Sequence, residues 1–423
     1  MRRLLVVAAL AASLRAQPTM HLTLADAQKL AIQNNPRFTS ARYTAAAAHQ
    51  VPLEYRANYQ PTVFGSLTGV GADNGSRLAA GGLNNPVVYN RLGSGLTVSQ
   101  MITDFGRTSN LVSSAEFRAA AQDQATETTR ADILLETSRA YFAILRTQAV
   151  LKVANQTVSA RQTVSDQITA LAQSKLKSQL DVSFANVNLE DARLLQVQAQ
   201  NDVKAAQADL GAVLGMPGEA RFDVAEERMP DPLPDRIDGL LADGVRNRPE
   251  LKDLRLEQTA EERFAKAEHR LYFPTLGVVG TAGFVPSGAA PVPGQYGAVG
   301  LNVNIPVFNG GLFKARQAEA ELRAKATAQN ANDLQNRIIR DIRVAFLNAT
   351  TAYDRVGLTA QLLKQAQLAL DLAQNRYDLG LGAIVELSQA QLGLTSAQIV
   401  NANAIYDYQT QRVVVDYQTG TLR

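Results

Sequence analysis

The sequence predicts a chain of mixed α and β structure, a tandem duplication in which each half carries two membrane-crossing strands and a hairpin of long helices. Three observations predict it: paired landmarks at a constant offset, two stretches of 68 residues that read as single helices, and four short segments of alternating polarity.

The duplication comes first because it decides the fold. Asn35-Pro36 and Tyr59-Gln60-Pro61 recur as Arg248-Pro249 and Phe273-Pro274, and both prolines shift by 213 positions. Further on, Gly95-Leu96-Thr97-Val98 matches Gly300-Leu301-Asn302-Val303, Leu180-Asp181-Val182-Ser183 matches Val385-Glu386-Leu387-Ser388, and Gly215 matches Gly420, each 205 apart. The change of offset places a length difference between Pro61 and Gly95, where a loop tolerates it. The halves run over about 22–215 and 235–420, joined by a Pro- and acid-rich linker, 216–234.

In chain order, residues 1–16 read as an export signal: Arg2 and Arg3, an apolar run from Leu4 to Ala12, and a small-residue cut site at Ala16. The run is too short to span a bilayer as a helix. A helix from Leu24 to Asn34 breaks at Pro36 and resumes to about Tyr55, with a counterpart around 237–246 that breaks at Pro249.

Strands are expected at about 62–71, 95–103, 275–284 and 297–308, with Gly-, Asn- and Pro-rich loops from Asp73 to Arg91 and from Pro286 to Tyr296. Val299, Leu301, Val303, Ile305 and Val307 alternate with Gly300, Asn302, Asn304 and Pro306. One such segment alone fits a small sheet in a soluble domain. Four of them, each ~10 residues, have the length of tilted membrane-crossing strands.

Long helices are expected at about 107–174 and 312–379, each followed by a shorter return at about 178–214 and 383–419. At 1.5 Å per residue the longer ones reach ~100 Å. A return of half that length leaves a deficit, which the segments before each strand pair fill by stacking end to end with it. Ile133, Leu134, Tyr141, Ile144, Leu145 and Leu151 recur at coiled-coil-like spacing. Four strands cannot close a barrel, and lipid forbids an open sheet edge, so several copies must contribute strands to one barrel.

Leu24-Ala25-Asp26-Ala27, Asn35-Pro36, Tyr59-Gln60-Pro61, Thr103-Asp104-Phe105-Gly106 and Arg376-Tyr377-Asp378-Leu379-Gly380 appear in this order. From Leu24 to Gly420 the chain resembles the TolC family of outer-membrane efflux proteins. The resemblance implies a homotrimer with a twelve-stranded barrel in outer-membrane lipid above a long periplasmic α-helical barrel. It also implies a passive exit duct of a tripartite efflux or type I secretion system, working with a periplasmic adaptor (membrane fusion) protein and an inner-membrane transporter.

In that family the turns between long helices dock the adaptor; here they are Lys175-Leu176-Lys177-Ser178 and Gly380-Leu381-Gly382-Ala383. The first lacks the family's Gly, since Lys175 stands opposite Gly380. The resemblance assigns the periplasmic constriction to Glu386 and Tyr377, with Asp181 as the repeat-related acid. Gln389 stands where some relatives carry a second acid, and Gly382 where some carry Arg. Outside this context the turns read as plain hairpin turns, and Glu386 and Asp181 as solvated helix-surface acids.

Composition excludes other classes. Removing residues 1–16 takes away Arg2, Arg3 and Arg15 and brings the formal charge of +3 to zero, so nothing points to nucleic acid. With no Cys and three scattered His, neither a disulfide, a metal centre nor a catalytic triad is expected, and no cofactor. Asp104-Phe105-Gly106 has the letters of a kinase motif without its companions and reads as a strand end meeting a helix start. Five Met without a Met-rich tract give no support for copper handling. A soluble periplasmic coiled-coil scaffold remains the alternative, explaining the helices but neither the strands nor the duplication.

Overall fold

The computed structural model describes residues 20–71, 73, 90–216, 218, 221–288 and 294–422. The expected signal segment, most of the Asp73–Arg91 loop and the middle of the Pro286–Tyr296 loop lie outside the described residues. The elements run β1 (Met20–Leu22), α1 (Leu24–Asn34), α2 (Pro36–Ala48), α3 (Val51–Arg56), β2 (Thr62–Val70), β3 (Arg91–Thr103), α4 (Arg107–Gln173) and α5 (Gln179–Val213). They continue as β4 (Phe222–Val224), α6 (Asp238–Asn247), α7 (Pro249–His269), β5 (Thr275–Gly288), β6 (Gln295–Asn304), α8 (Leu312–Asp378) and α9 (Ile384–Gln418). The order strand, strand, long helix, shorter helix occurs twice, and α4 and α8 both have 67 residues while α5 and α9 both have 35.

The chain divides into two units, one of residues 41–126 and 249–336, the other of 1–40, 127–248 and 337–423. The first contains a four-stranded antiparallel sheet in the order β2-β3-β5-β6, so β3 and β5 join the two repeats edge to edge. Alternation and register together define its two faces. One face carries Val63 and Leu67 of β2, Leu92, Leu96 and Val98 of β3, Leu276 and Val278 of β5, and Val299, Leu301 and Val303 of β6. The other is more polar, carrying Thr62, Ser66 and Thr68, then Thr97 and Ser99, then Thr281, then Asn302 and Asn304, with Phe64, Val279 and Tyr296 among them. The apolar face is exposed across the sheet, with Leu67 at 78%, Leu96 at 57% and Val299 at 83%.

Pairing of β6 stops at Asn304, opposite Thr275, although the alternation runs on to Phe308. β5 begins just after Pro274, which has no N–H to extend the ladder. The expected single helix from Pro36 to Tyr55 is also corrected: it breaks at His49 and Gln50, ahead of Pro52 at the start of α3.

The second unit centres on Leu22, Ile133, Tyr141, Ile144, Leu210 and Phe222, all at most 2% exposed. Tyr141 sits between two backbone segments, and its hydroxyl donates to Leu22 O (3.1 Å) and Ala225 O (2.6 Å). Burial, helped by the charge of Glu227, pushes its pKa up to about 12. The segments it joins form a small parallel pair, β1 with β4, so the linker contains a strand that three residues of alternation could not announce. The return helices abut the segments before each strand pair. Asn35 Nδ2 donates to Val213 O (3.0 Å), and a Cβ on Gly215 would lie 2.7 Å from Asn34 O. In the second repeat a Cβ on Gly420 would lie 2.9 Å from Asn247 C, and Arg248 bonds Gln418.

Candidate functional site at the hairpin turns

Both long helices end in the same hydrogen-bonded stop. After α4, Lys175 N donates to Ala172 O and Leu176 N to Leu171 O, each 2.9 Å; after α8, Gly380 N donates to Tyr377 O (3.1 Å) and Leu381 N to Arg376 O (2.8 Å). This is the Schellman arrangement, whose penultimate residue takes a left-handed backbone. Lys175 has φ +61° and Gly380 φ +70°. The missing Gly has therefore not changed the turn, and Lys175 carries the strain a side chain meets there, about 1 kcal/mol. Leu176 and Leu381, next in each turn, are exposed at 70% and 69%.

The shorter helices begin differently. Ser178 caps α5: its Oγ accepts from Asp181 N (3.2 Å), while the Asp181 carboxylate accepts from Ser178 N (3.0 Å) and Ser178 Oγ (2.8 Å). That reciprocal capping box commits Asp181 to its own helix end. Ala383 occupies the matching position of α9 and has no side-chain oxygen to offer. Glu386, the repeat partner of Asp181, reaches back across the turn instead, its Oε1 3.2 Å from Arg376 Nε. Arg376 also donates to Leu381 O through Nη2 (3.3 Å). The two acids that the sequence pairs are thus brought to different tasks.

Tyr377 packs with Ile168 and Val182 of one hairpin and Ile384 and Leu387 of the other, so the two turns share a small core. Lys177 Nζ lies 4.0 Å from the Tyr377 ring centroid, a cation over an aromatic face contributed by the opposite turn. The Tyr377 hydroxyl is buried and, among the described residues, has no hydrogen-bond partner. Gln389 is exposed and, among the described residues, makes no hydrogen bond. Above this core the hairpins are linked by Asn188 to Ser388 (2.8 Å), by Thr157 to Thr395 (3.3 Å), and by the buried Arg161 to Gln391.

Sequence reading sets Arg376 in a family motif and Lys177 in a docking turn, but pairs neither with Glu386 or Tyr377. The signal was present: Leu171 and Gly382 stand opposite them in the other repeat, so each charge is peculiar to one turn.

The sequence profile described as "Outer membrane efflux protein" matches residues 27–216 and 240–421, most of each repeat. The chain belongs to the outer membrane efflux protein family. It is 25% identical over 406 residues to the outer membrane protein TolC of Salmonella enteritidis, covering 92% of this chain and 80% of that one. Its fold is that of CusC, described as undergoing conformational changes that accompany folding and transmembrane channel formation: TM-score 0.82, 17% identity, covering 94% of this chain and 92% of that one. The outer-membrane channel OprN follows with TM-score 0.80, 18% identity and coverage of 94% and 90%. This TolC-like efflux protein is therefore an outer-membrane channel, with its long helices in the periplasm. Among the described residues no helix is long and apolar enough to cross a membrane.

Proposed function

We propose that three copies assemble into the exit duct of a tripartite efflux or type I secretion system, passively conducting cargo delivered by a periplasmic adaptor and an inner-membrane pump. The observation that carries this is the sheet: one mainly apolar face runs over four strands, and among the described residues the outer edges of β2 and β6 are unpaired. In lipid those edges need partners, and neighbouring copies supply them. Twelve strands from three protomers make a closed barrel.

The helices support the same assembly. Leu180, Val187 and Leu194 form an exposed stripe of seven-residue spacing on α5, and Leu358 and Leu372 form a sparser one on α8, at twice that spacing, with exposed Leu379 just past the helix end. A stripe of one copy set against the other stripe of the next makes a head-to-tail contact that closes as a ring. At the turns, three Glu386–Arg376 pairs and three Tyr377 hydroxyls seeking partners would surround one axis and form the constriction. Exposed Leu176 and Leu381 are apolar knobs fitted to an adaptor. Adaptor contact loosens the ties at Glu386 and Tyr377, and the tunnel opens.

Cryo-EM of the detergent-extracted mature protein tests this. Three-fold particles with a short barrel and a helical stalk of ~100 Å are expected; a monomer, or a coiled coil without a barrel, would overturn the reading.

A further inference from the structure

Each repeat places the helix before its first strand beside the long helix after its second, and the two equivalent grooves differ in charge. In the first repeat the groove is closed by ion pairs: His49 Nε2 lies 3.0 Å from Asp123, and Arg56 pairs with Glu116. By the same offsets, the second repeat has Glu262 for His49, Ala328 for Asp123 and His269 for Arg56, while Lys266 and Lys325 replace Leu53 and Ala120. The pairs are gone and cations have been added.

A groove of about 680 Å³ opens there between α7 and α8. Arg263, Lys266, Arg270 and Lys325 line it, against two acids. Those acids are held by amides of their own helices: Glu262 accepts from Gln258 Nε2 (3.0 Å) and Glu321 from Gln317 Nε2 (2.8 Å). Among the described residues, the side chains of Arg263, Lys266 and Lys325 make no hydrogen bond or ion pair, and Arg270 lies over the Phe273 ring (5.1 Å). Ala265, Ala324 and Ala328 give the groove an apolar floor. Several N–H donors converging from different directions on one cavity suit a tetrahedral phosphate oxyanion better than a planar carboxylate.

We propose that this groove binds a phosphate ester, and that its source is the headgroup of an anionic phospholipid. Lys266 and His269 lie in the last turn of α7, a 3-10 turn (Arg270–Tyr272) follows, and β5 of the apolar-faced sheet begins at Thr275. The groove is thus adjacent along the chain to the membrane-crossing strands, where headgroups are concentrated, and the alanines accept a glycerol stem. The lipid source rests on the membrane reading of the sheet; recognition of phosphate does not.

Native mass spectrometry of the full mature protein in detergent tests it, with phosphatidylglycerol and inorganic phosphate as separate probes and phosphatidylcholine as reference. The variant K266L/K325A installs the residues of the first repeat. Phosphatidylglycerol affinity is expected to fall roughly tenfold, about 1.4 kcal/mol, with phosphatidylcholine unchanged. Loss of inorganic phosphate binding without loss of lipid binding would keep the phosphate site and overturn the lipid source. Equal binding of both probes by parent and variant would overturn the proposal. The single variant K325A, on an exposed part of α8, gives the same readings should the double variant fail to assemble. Oligomer masses in the same spectra report on the barrel assembly independently.

Discussion

The two repeats have long and return helices of the same lengths but solve their turns with different residues, and the pattern shows what a left-handed backbone requires. Phe105 and Lys175 are the non-glycine residues with positive φ among the described residues, at +55° and +61°. Their equivalents in the second repeat are Gly310 and Gly380. Both glycines have open space where a Cβ would stand, so only the backbone cost, about 1 kcal/mol, opposes a side chain. Gly215 and Gly420, by contrast, remain glycine in both repeats because a Cβ would meet the backbone of Asn34 or Asn247. Gly106 and Gly311 also remain, at φ +94° and +84°, beyond the range that L side chains adopt. Divergence has been tolerated where φ stays near +60° in open space, and not where φ lies further out or a backbone stands close.

The same comparison separates Asp181 from Glu386, and the largest expected effect follows. Glu386→Ala removes the acid that spans the turn to Arg376 and should raise single-channel conductance in planar bilayers several-fold. Asp181→Ala should leave conductance near the parent value, because that carboxylate is occupied at the start of α5. Equal effects of the two substitutions would erase the distinction.

Next in size are the glycines against the backbone. Gly215→Ala and Gly420→Ala each force a Cβ into a close approach at φ +68° and should cost about 1–3 kcal/mol, seen as a lower apparent melting temperature. Gly380→Ala, with open space around it, should cost only about 1 kcal/mol. A Gly420→Ala variant no less stable than Gly380→Ala would show that the helix ends separate freely there.

Most of this was legible beforehand. Constant offsets exposed the duplication, 68 residues without a break-point announced α4, and alternation in 299–307 announced β6. What stayed hidden depends on contacts distant in the chain or on very short elements. Nothing local to Tyr141 says that it bonds both Leu22 and Ala225, and the β1–β4 pair is too short for a pattern. At the candidate site, the resemblance supplied the positions of Glu386 and Tyr377. It could not say that Ser178 would claim Asp181, because a capping box depends on the residue three places before the acid. Reading Ser178 against Ala383 would have revealed it.

That cap is the next comparison to break. Ser178→Ala should cost about 1 kcal/mol of hairpin stability and free Asp181. Ala383→Ser should give α9 a cap and draw Glu386 toward its own helix end, away from Arg376, raising conductance by less than Glu386→Ala does. A stabilised Ala383→Ser with unchanged conductance would show that the Arg376 contact does not restrain the tunnel.

The smallest effect comes from another divergence between repeats. Glu250, Asp253, Glu257 and Glu261 recur on one side of α7, where the first repeat has Arg37, Ser40, Thr44 and Ala48. Burial, with Glu257 and Glu250 nearby, raises the Asp253 pKa from 3.8 to about 6. Between those values the folded chain holds the proton more tightly than the unfolded chain, so stability declines as pH rises from about 4 to 6, and the cost is full above that window. Partial exposure reduces it to about 1 kcal/mol or less. Asp253→Asn removes the charge and should raise the apparent melting temperature at pH 7.5 by roughly 2–4 °C per kcal/mol recovered, with almost no gain at pH 4. An equal gain at both pH values would assign the effect to side-chain shape. A loss at pH 7.5 that shrinks toward pH 4 would mean that Asp253 is ionised and paired in the assembled channel, with a neighbouring copy supplying a cation that the protomer lacks.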